Sequence, residues 1–143
     1  MSETHSGKCF CGAVQFEVTG EPEIMGYCHC TDCAEWAGAP INAFSLWPAG
    51  TVKVTAGADK LGSFAKTEAS HRKFCTACGG HVMSEHPGMD DMTDVYLNNV
   101  PTKKHEPTLH VFYGEKTVSV KDGLPKYATM PSEFGGSGET LPE

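Results

Sequence analysis

The stretch Phe74-Cys75-Thr76-Ala77-Cys78-Gly79-Gly80 decides how this sequence is expected to fold. Two residues separate its thiols and glycines follow them, which is the form of a tight zinc-binding turn. A structural zinc takes four ligands in a tetrahedron, at about 2.3 Å from each sulfur. Cys9 and Cys11 provide a second pair, because alternate residues of a strand share one face and Phe10 then points away. The four thiols predict a closed structural zinc site that joins Lys8–Gly12 to this turn.

A third cluster, Tyr27-Cys28-His29-Cys30-Thr31-Asp32-Cys33, contains the remaining three thiols. Three protein ligands with one open position are typical of a catalytic zinc site. We therefore interpret Cys28, Cys30 and Cys33 as ligands of a second, catalytic zinc.

Two alternatives stay open at this point. The spacing also allows Cys30 and Cys33 to join Cys75 and Cys78, which would leave the other three thiols together. His29 could be a ligand, but in an extended segment it points away from its neighbouring cysteines. We expect this histidine to face solvent or to be hydrogen-bonded.

The number of cysteines argues against a disulfide framework. Seven is an odd number, and the start of the sequence, Met1–Lys8, lacks the apolar core of a signal peptide. Disulfides would leave one thiol over and require an oxidising compartment. A redox role for the Cys75/Cys78 pair lacks the expected βαβ context. We therefore predict a cytoplasmic protein whose cysteines bind zinc.

Length and charge limit the remaining possibilities. The sequence has 143 residues and a formal net charge of −7, which disfavours nucleic acid or an anionic membrane as a partner. No apolar run approaches the roughly 20 residues of a membrane span. We predict a single zinc-binding domain over residues 1–128 and a flexible, acidic, glycine-rich tail over residues 129–143.

The hydrophobic pattern predicts an all-β fold with minimal helix. Apolar and polar residues alternate over Ala13–Thr19, and turn-forming residues mark most of the gaps between strand candidates. One short helix is expected over Thr31–Trp36, with Thr31 as its N-cap. The other predicted strands are Ile24–Tyr27, Asn42–Trp47, Val52–Thr55, Leu61–Thr67, Arg72–Phe74, His81–Ser84, Val95–Leu97, Leu109–Phe112 and Thr117–Val120.

The combined cysteine pattern resembles the glutathione-dependent formaldehyde-activating enzyme family, which also includes centromere protein V. The resemblance runs from about Gly7 to Tyr127. It implies several small coiled antiparallel β-sheets around a structural zinc on Cys9, Cys11, Cys75 and Cys78, and a catalytic zinc on Cys28, Cys30 and Cys33. The matching segments are Lys8–Gly12, Gly26–Cys33, Gly38–Pro40, Phe74–Gly80 and Asp122–Pro125.

A zinc bound by three thiolates suits a carbon–sulfur lyase reaction. Such a site is soft and favours a substrate thiol in its open position, where the metal lowers the pKa of the thiol. The thiolate could add to an aldehyde such as formaldehyde, or the adduct could be cleaved. The resemblance suggests glutathione as the thiol. The alternative is a non-catalytic zinc module that binds a protein partner, in which case His29 or Asp32 would supply a fourth ligand.

Four further side chains are weaker candidates. Arg72, the sole arginine, could bind a substrate carboxylate, although an exposed strand charge is the simpler interpretation. His110 lies where the resemblance places a residue near the site, but we favour a hydrogen-bonded core histidine. Trp36 and Trp47 are expected in the core.

Overall fold

The computed structural model describes residues 2–143 and divides them into two compact units. The first unit contains the residues up to Ile24 together with Ser45–His105, and the second contains Met25–Phe44 with Glu106–Glu143. The strands of residues 2–143 are β1 (Thr4–Lys8), β2 (Gln15–Thr19), β3 (Ile24–Cys28), β4 (Asn42–Trp47), β5 (Val52–Ala56), β6 (Leu61–Thr67), β7 (Ser70–Cys75), β8 (His81–His86), β9 (Met92–Val95) and β10 (His110–Val111). One α-helix in this range, α1 (Thr31–Ala37), accompanies them, so the predicted all-β class with little helix is confirmed.

Two antiparallel sheets build the first unit. Strands β1, β2 and β5 form one sheet in that order, and the end of β4 is followed by β9, β8, β7 and β6 in the other. Val14, Phe16 and Val18 are buried, as the predicted alternation requires. The segments that close the β1–β2 and β7–β8 hairpins carry Cys9 and Cys11 in one case and Cys75 and Cys78 in the other. The hairpin connections are therefore the elements that position these thiols.

The core of the first unit includes Trp47, which is fully buried. Its indole N–H donates to Ser45 Oγ at 2.9 Å, and this hydroxyl donates in turn to the carbonyl oxygen of Val95 at 2.6 Å. The polar atom of the indole is thereby satisfied inside the core. The prediction that Trp47 is a core residue is confirmed.

Strands β3 and β10 form a parallel pair in the second unit, a departure from the expected antiparallel pairing. Gly26 permits their close approach, because a Cβ at this position would lie 2.6 Å from the carbonyl oxygen of Leu109. Strand β3 ends at Cys28 and α1 begins at Thr31. The strand-to-helix connection therefore positions the second group of cysteines.

Several local predictions differ from the structure. The strand expected over Val95–Leu97 lies at Met92–Val95, and a 3-10 helix over Leu97–Asn99 follows it. Thr117–Val120 is not a strand, because the backbone N–H of Val120 donates to the hydroxyl of Tyr113 at 2.9 Å instead of to a neighbouring strand. Strand β1 was not expected, since its mostly polar sequence shows no apolar alternation. The N-cap of α1 is Cys30 and not Thr31.

The C-terminal residues 129–143 include a short 3-10 helix, Ser132–Phe134. The backbone N–H of Leu141 donates to the carbonyl oxygen of Lys126 at 2.7 Å. The flexibility of this segment and the single domain over residues 1–128 stay predictions. In residues 2–143, no helix has the length and apolar character needed to span a membrane.

The turn after β5 provides a test of the first unit. Gly57 has a φ of +73°, and a Cβ there would clash with the carbonyl oxygen of Ala13. We expect Gly57→Ala to lower the free energy of unfolding by more than the about 1–2 kcal/mol that a left-handed conformation costs a residue with a side chain. Gly50→Ala is the matched control, because Gly50 has a φ of +82° but open space around it. Urea unfolding measures both, and an equal loss would contradict the steric argument.

Candidate metal centres

The first cluster consists of four thiols in the first unit. The Sγ atoms of Cys9, Cys11, Cys75 and Cys78 all lie within 4.8 Å of one another. Cys11 Sγ is 3.8 Å from both Cys9 Sγ and Cys75 Sγ. Four sulfurs at about 2.3 Å from a tetrahedral zinc are roughly 3.8 Å apart, whereas a disulfide requires about 2.05 Å. The four free thiols therefore fit a metal ion and not a pair of disulfides.

Both cysteine pairs lie in turns that glycines close. Gly12, with a φ of +84°, donates its N–H to the carbonyl oxygen of Cys9 at 3.1 Å. Gly79, with a φ of +76°, donates in the same way to Cys75 at 2.7 Å. The expectation that strand alternation brings Cys9 and Cys11 together is wrong, because β1 ends at Lys8 and a turn follows. The turn still leaves the intervening Phe10 exposed, as expected.

Backbone N–H groups point at three of the four sulfurs. Val14 donates to Cys9 Sγ at 3.3 Å, and Ala77 and Gly80 donate to Cys75 and Cys78 at 3.4 Å each. Such bonds favour the thiolate form. The cluster is thus prepared for anionic sulfur, which is the form that binds metal.

Because the sulfurs lie close together, their thiols have different pKa values. Burial raises the pKa of Cys9, but hydrogen bonds from the Val14 N–H and from Cys75 and Cys11 outweigh it and bring the pKa to about 6. The pKa of Cys11 is raised to about 11: the backbone at Ala13 lowers it, but burial and the thiols of Cys78, Cys9 and Cys75 raise it more. Without a cation the four sulfurs cannot all be anionic at neutral pH, and a bound metal ion would remove this repulsion.

The second cluster lies in the second unit and spans only six residues. The Sγ atoms of Cys28, Cys30 and Cys33 lie within 4.8 Å of one another. Cys28 is the last residue of β3, and Cys30 Sγ accepts the Cys33 N–H at 3.3 Å as the N-cap of α1. Within residues 2–143, no fourth histidine, cysteine or acidic donor joins this group. The structure thus brings the thiols together in the division that the sequence analysis favoured.

Mutual repulsion is also evident in the second cluster. The thiols of Cys30 and Cys33, followed by burial, raise the pKa of Cys28 well above its usual value. Three thiols are a suitable donor set for a soft divalent metal such as zinc. A metal ion bound here would have to displace the proton of Cys28.

His29 lies between two of these cysteines, but it is directed elsewhere. It is 1% exposed, and its Nε2 lies 2.8 Å from Nδ1 of the buried His110. The pKa of His29 is lowered to about 4, mainly by burial, and a charge on the neighbouring His110 would act in the same direction. The hydrogen-bonded alternative for His29 is correct, and so is the expectation that His110 is a hydrogen-bonded core histidine.

Three charged residues continue this network in the second unit. His110 Nε2 lies 2.7 Å from Asp122 Oδ2, and the fully buried Lys126 donates to Asp122 Oδ1 at 2.6 Å and to Glu143 Oε2 at 2.9 Å. Burial acts against the charged forms, but the pKa of Asp122 is lowered by its bonds with Lys126 and His110. The two carboxylates raise the pKa of Lys126. Asp122, Lys126, Glu143, His110 and His29 are called the buried polar cluster below.

Sequence reasoning did not identify three members of this cluster. Asp122 was noted only within the segment Asp122–Pro125 of the family resemblance, while Lys126 and Glu143 were not singled out. No spacing rule connects Glu143 with Lys126, because their contact depends on how the intervening residues fold back. The Asp122/Lys126 pair has i,i+4 spacing but lies outside any helix.

Arg72, the candidate for binding a carboxylate, lies in the first unit, as do two lysines that form ion pairs. Arg72 is in β7, where its charge contributes to a lowered pKa of His81, second to burial. Lys73 pairs with Glu85 at 3.0 Å and Lys103 with Glu21 at 2.5 Å. The predicted role of Arg72 in binding a carboxylate stays a prediction.

Comparison with known proteins decides the family. Residues 4–115 match the family model described as glutathione-dependent formaldehyde-activating enzyme. The chain belongs to this family. The resemblance inferred from the cysteine pattern is therefore confirmed, and the matched residues include all seven cysteines.

One curated relative and one solved structure extend this result. A protein of Fusarium vanettenii named "Putative glutathione-dependent formaldehyde-activating enzyme" is 34% identical over 91 residues, which are 58% of this chain and 49% of that protein. The chain thus spans about half the length of this relative. A crystal structure of a Rhodobacter sphaeroides protein matches with a TM-score of 0.58 and 20% identity, over 69% of this chain and 90% of that chain. This match supports the fold.

Metal content is the first prediction from the two clusters. Four thiolates should hold zinc more tightly than three thiolates with an exchangeable fourth ligand. We expect between one and two zinc ions per chain after purification without chelator, with one of them lost first to a chelator. Elemental analysis during stepwise chelation measures this. Absence of zinc from a folded protein would contradict the assignment of both clusters.

The division of roles between the clusters is the second prediction. Cys75→Ser should destabilise the fold, because the metal that joins two distant hairpin turns contributes its binding energy to folding. Cys30→Ser should leave a folded protein with one zinc fewer, since serine also serves as an N-cap for α1. Urea unfolding and zinc analysis of both variants provide the comparison. Unfolding by Cys30→Ser and tolerance of Cys75→Ser would reverse the two roles.

Proposed function

We propose that this protein is a zinc-dependent carbon–sulfur lyase-like enzyme. In this proposal it forms or cleaves an adduct between a small thiol, glutathione or a similar compound, and an aldehyde such as formaldehyde. Cys28, Cys30 and Cys33 would hold the catalytic zinc, and Cys9, Cys11, Cys75 and Cys78 the structural zinc. The observation that carries the proposal is that the second cluster has three members in residues 2–143 and the first has four.

The chemistry of three thiolates favours a thiol substrate. Three thiolates on one divalent ion give a net charge near −1, which makes the site a weak Lewis acid compared with a site of neutral histidines. A zinc ion held here would supply a soft position that lowers the pKa of a bound thiol while the sulfur stays nucleophilic. Adduct formation makes one carbon–sulfur bond and transfers the thiol proton to the carbonyl oxygen, and cleavage is the reverse.

The secondary structure around the site holds the three cysteines in place. Cys28 is fixed at the end of β3, and Cys30 and Cys33 are fixed by the first turn of α1. The backbone N–H of Thr31 donates to the Glu115 carboxylate at 3.0 Å, which holds the start of the helix. A site whose donors are already in place binds its metal and orients its reactants at a lower entropic cost.

The family supports glutathione and formaldehyde as reactants. Its description names both compounds, and the Fusarium vanettenii relative bears the same name. Because the chain spans about half of that relative, the substrates remain part of the proposal. We also propose a cytoplasmic location, because cysteines that bind zinc must stay reduced, and the cytosol keeps thiols in that state.

Cobalt substitution followed by thiol titration tests the function. With cobalt in both clusters, we expect glutathione to strengthen the sulfur-to-metal charge-transfer absorption, because a fourth thiolate joins the three-thiolate site. S-methylglutathione, which has no free thiol, should have no effect. Cys30→Ser should abolish the response to glutathione.

The opposite outcome has a definite meaning. A second site that is loaded with metal but shows no response to glutathione or other small thiols would contradict the enzyme proposal. It would favour the non-catalytic module that binds a protein partner. Detection of a protein ligand in the fourth position would lead to the same conclusion.

A further inference from the structure

The buried polar cluster contains a linear series of hydrogen bonds that ends at His29, whose main chain joins Cys28 to Cys30. Asp122 Oδ2 lies 2.7 Å from His110 Nε2, and His110 Nδ1 lies 2.8 Å from His29 Nε2. Both imidazoles are at most 1% exposed, so water does not compete for these bonds. His29 lies directly between Cys28 and Cys30 in the sequence.

The direction of each bond follows from the acceptor at the start of the series. Asp122 receives Lys126 and the backbone N–H of Leu124 on Oδ1, as expected of an ionised carboxylate that only accepts. His110 must then carry a proton on Nε2. A neutral His110 has a bare Nδ1, which accepts from His29. His29 in turn carries its proton on Nε2 and has a bare Nδ1.

The surroundings of His29 agree with this assignment. Its Nδ1 is buried and has no hydrogen-bond partner among the described residues. An orphaned N–H in a protein interior is rarer than an under-satisfied acceptor. The opposite polarity, with a proton on His29 Nδ1, would bury such an N–H.

Glu143 and Lys126 hold the carboxylate at the start of the series. Glu143 Oε2 accepts the backbone N–H groups of Asp122 and Gly123 at 2.8 Å each, in addition to the Lys126 ammonium. Lys126 also donates to the carbonyl oxygen of Leu124 at 2.7 Å. Because Lys126 occupies Oδ1, Asp122 is left with Oδ2 directed at His110.

The backbone reinforces the connection to the thiols. The N–H of His29 donates to the carbonyl oxygen of Val111 at 3.1 Å, and Cys28 pairs with Val111 in the parallel β3–β10 ladder. Side-chain and main-chain bonds thus fix the Cys28–Cys30 segment against the same two residues of β10. A shift of His110 would move this segment.

We propose that Asp122, held in place by Lys126 and Glu143, positions His110 and His29 so that both carry their proton on Nε2, and that this series keeps Cys28 and Cys30 in the geometry that retains a metal ion. Asp122, His110 and His29 are positioning residues in this scheme. The part that concerns the metal rests on the proposed function, whereas the proton positions do not.

Nuclear magnetic resonance of the wild-type imidazoles tests the proton positions without any variant. Long-range ¹H–¹⁵N spectra distinguish the protonated from the bare ring nitrogen. We expect Nε2–H and a bare Nδ1 at both His29 and His110, in the metal-free and the zinc-loaded protein. A proton on Nδ1 of either ring, or both nitrogens of His110 protonated, would overturn the series.

Asp122→Asn tests the control exerted by the carboxylate. The amide can donate to His110 Nε2, so we expect the protons of both rings to move to Nδ1. Loss of a direct hydrogen-bond partner of a metal ligand weakens metal binding about 10- to 100-fold. Asp122 acts through two imidazoles that are not ligands, so we expect faster release of the second zinc to a chelator, by no more than the lower end of that range. The four-thiol cluster is an internal control, and its zinc should be released as in the wild type.

Glu143→Gln tests whether the hydrogen bonds that Glu143 accepts from Lys126 and from the backbone of Asp122 and Gly123 support the second site. Glu139→Gln is the control for the loss of one negative charge. Glu143→Gln should accelerate release of the second zinc by a smaller factor than Asp122→Asn. Glu139 is exposed and lies in the same segment, so Glu139→Gln removes the same charge and leaves the hydrogen bonds of the Glu143 carboxylate in place. Equal release from both glutamine variants would overturn the role of Glu143.

The outcomes distinguish this proposal from the proposed function. Unchanged zinc release in Asp122→Asn, with the second site loaded, would overturn the positioning role and leave the enzyme proposal intact. A wild-type protein with no metal on Cys28, Cys30 and Cys33 would overturn the enzyme proposal. The reversal of the ring protons in Asp122→Asn would in that case still support the orienting role of Asp122.

Discussion

Repulsion between neighbouring sulfurs is the constraint on which the first unit depends. Cys11 and Cys75 are separated by 64 positions, yet their Sγ atoms lie 3.8 Å apart. Two hairpin connections meet at this contact. The β1–β2 and β7–β8 hairpins can therefore stay together only if the repulsion between the sulfurs is offset. Backbone N–H groups offset part of the repulsion, and a cation would offset the rest. The hairpin sheets and their closing turns thus serve one requirement, the convergence of four donors.

The second cluster meets the same requirement locally. Cys28, Cys30 and Cys33 fall within one strand-to-helix connection, so no long loop has to close to bring them together. Their convergence therefore contributes less to folding and more to local chemistry. This difference is the physical basis for our proposal that the first cluster is structural and the second is reactive.

The groups that compensate the buried charge of Lys126 in the second unit also determine which oxygen of Asp122 faces His110. Lys126 is 1% exposed and would be costly to bury alone, but two carboxylates and a backbone carbonyl surround its ammonium. The compensation leaves Asp122 with one oxygen for His110. A cluster that satisfies a buried lysine therefore also orients His110 and, through it, His29.

The sequence by itself determined the cysteine groups, the all-β class and most strand positions, because ligand spacing and hydrophobic alternation are local properties. Asn42–Trp47 and Leu61–Thr67 are strands with the predicted bounds. Only the tertiary structure decided that Cys9 and Cys11 meet through a turn and that Thr117–Val120 is irregular, since both depend on hydrogen bonds to other segments. The contact of Glu143 with Lys126 and the orientation of His29 toward His110 were likewise beyond the sequence, because no periodicity relates residues that chain folding brings together from separate segments.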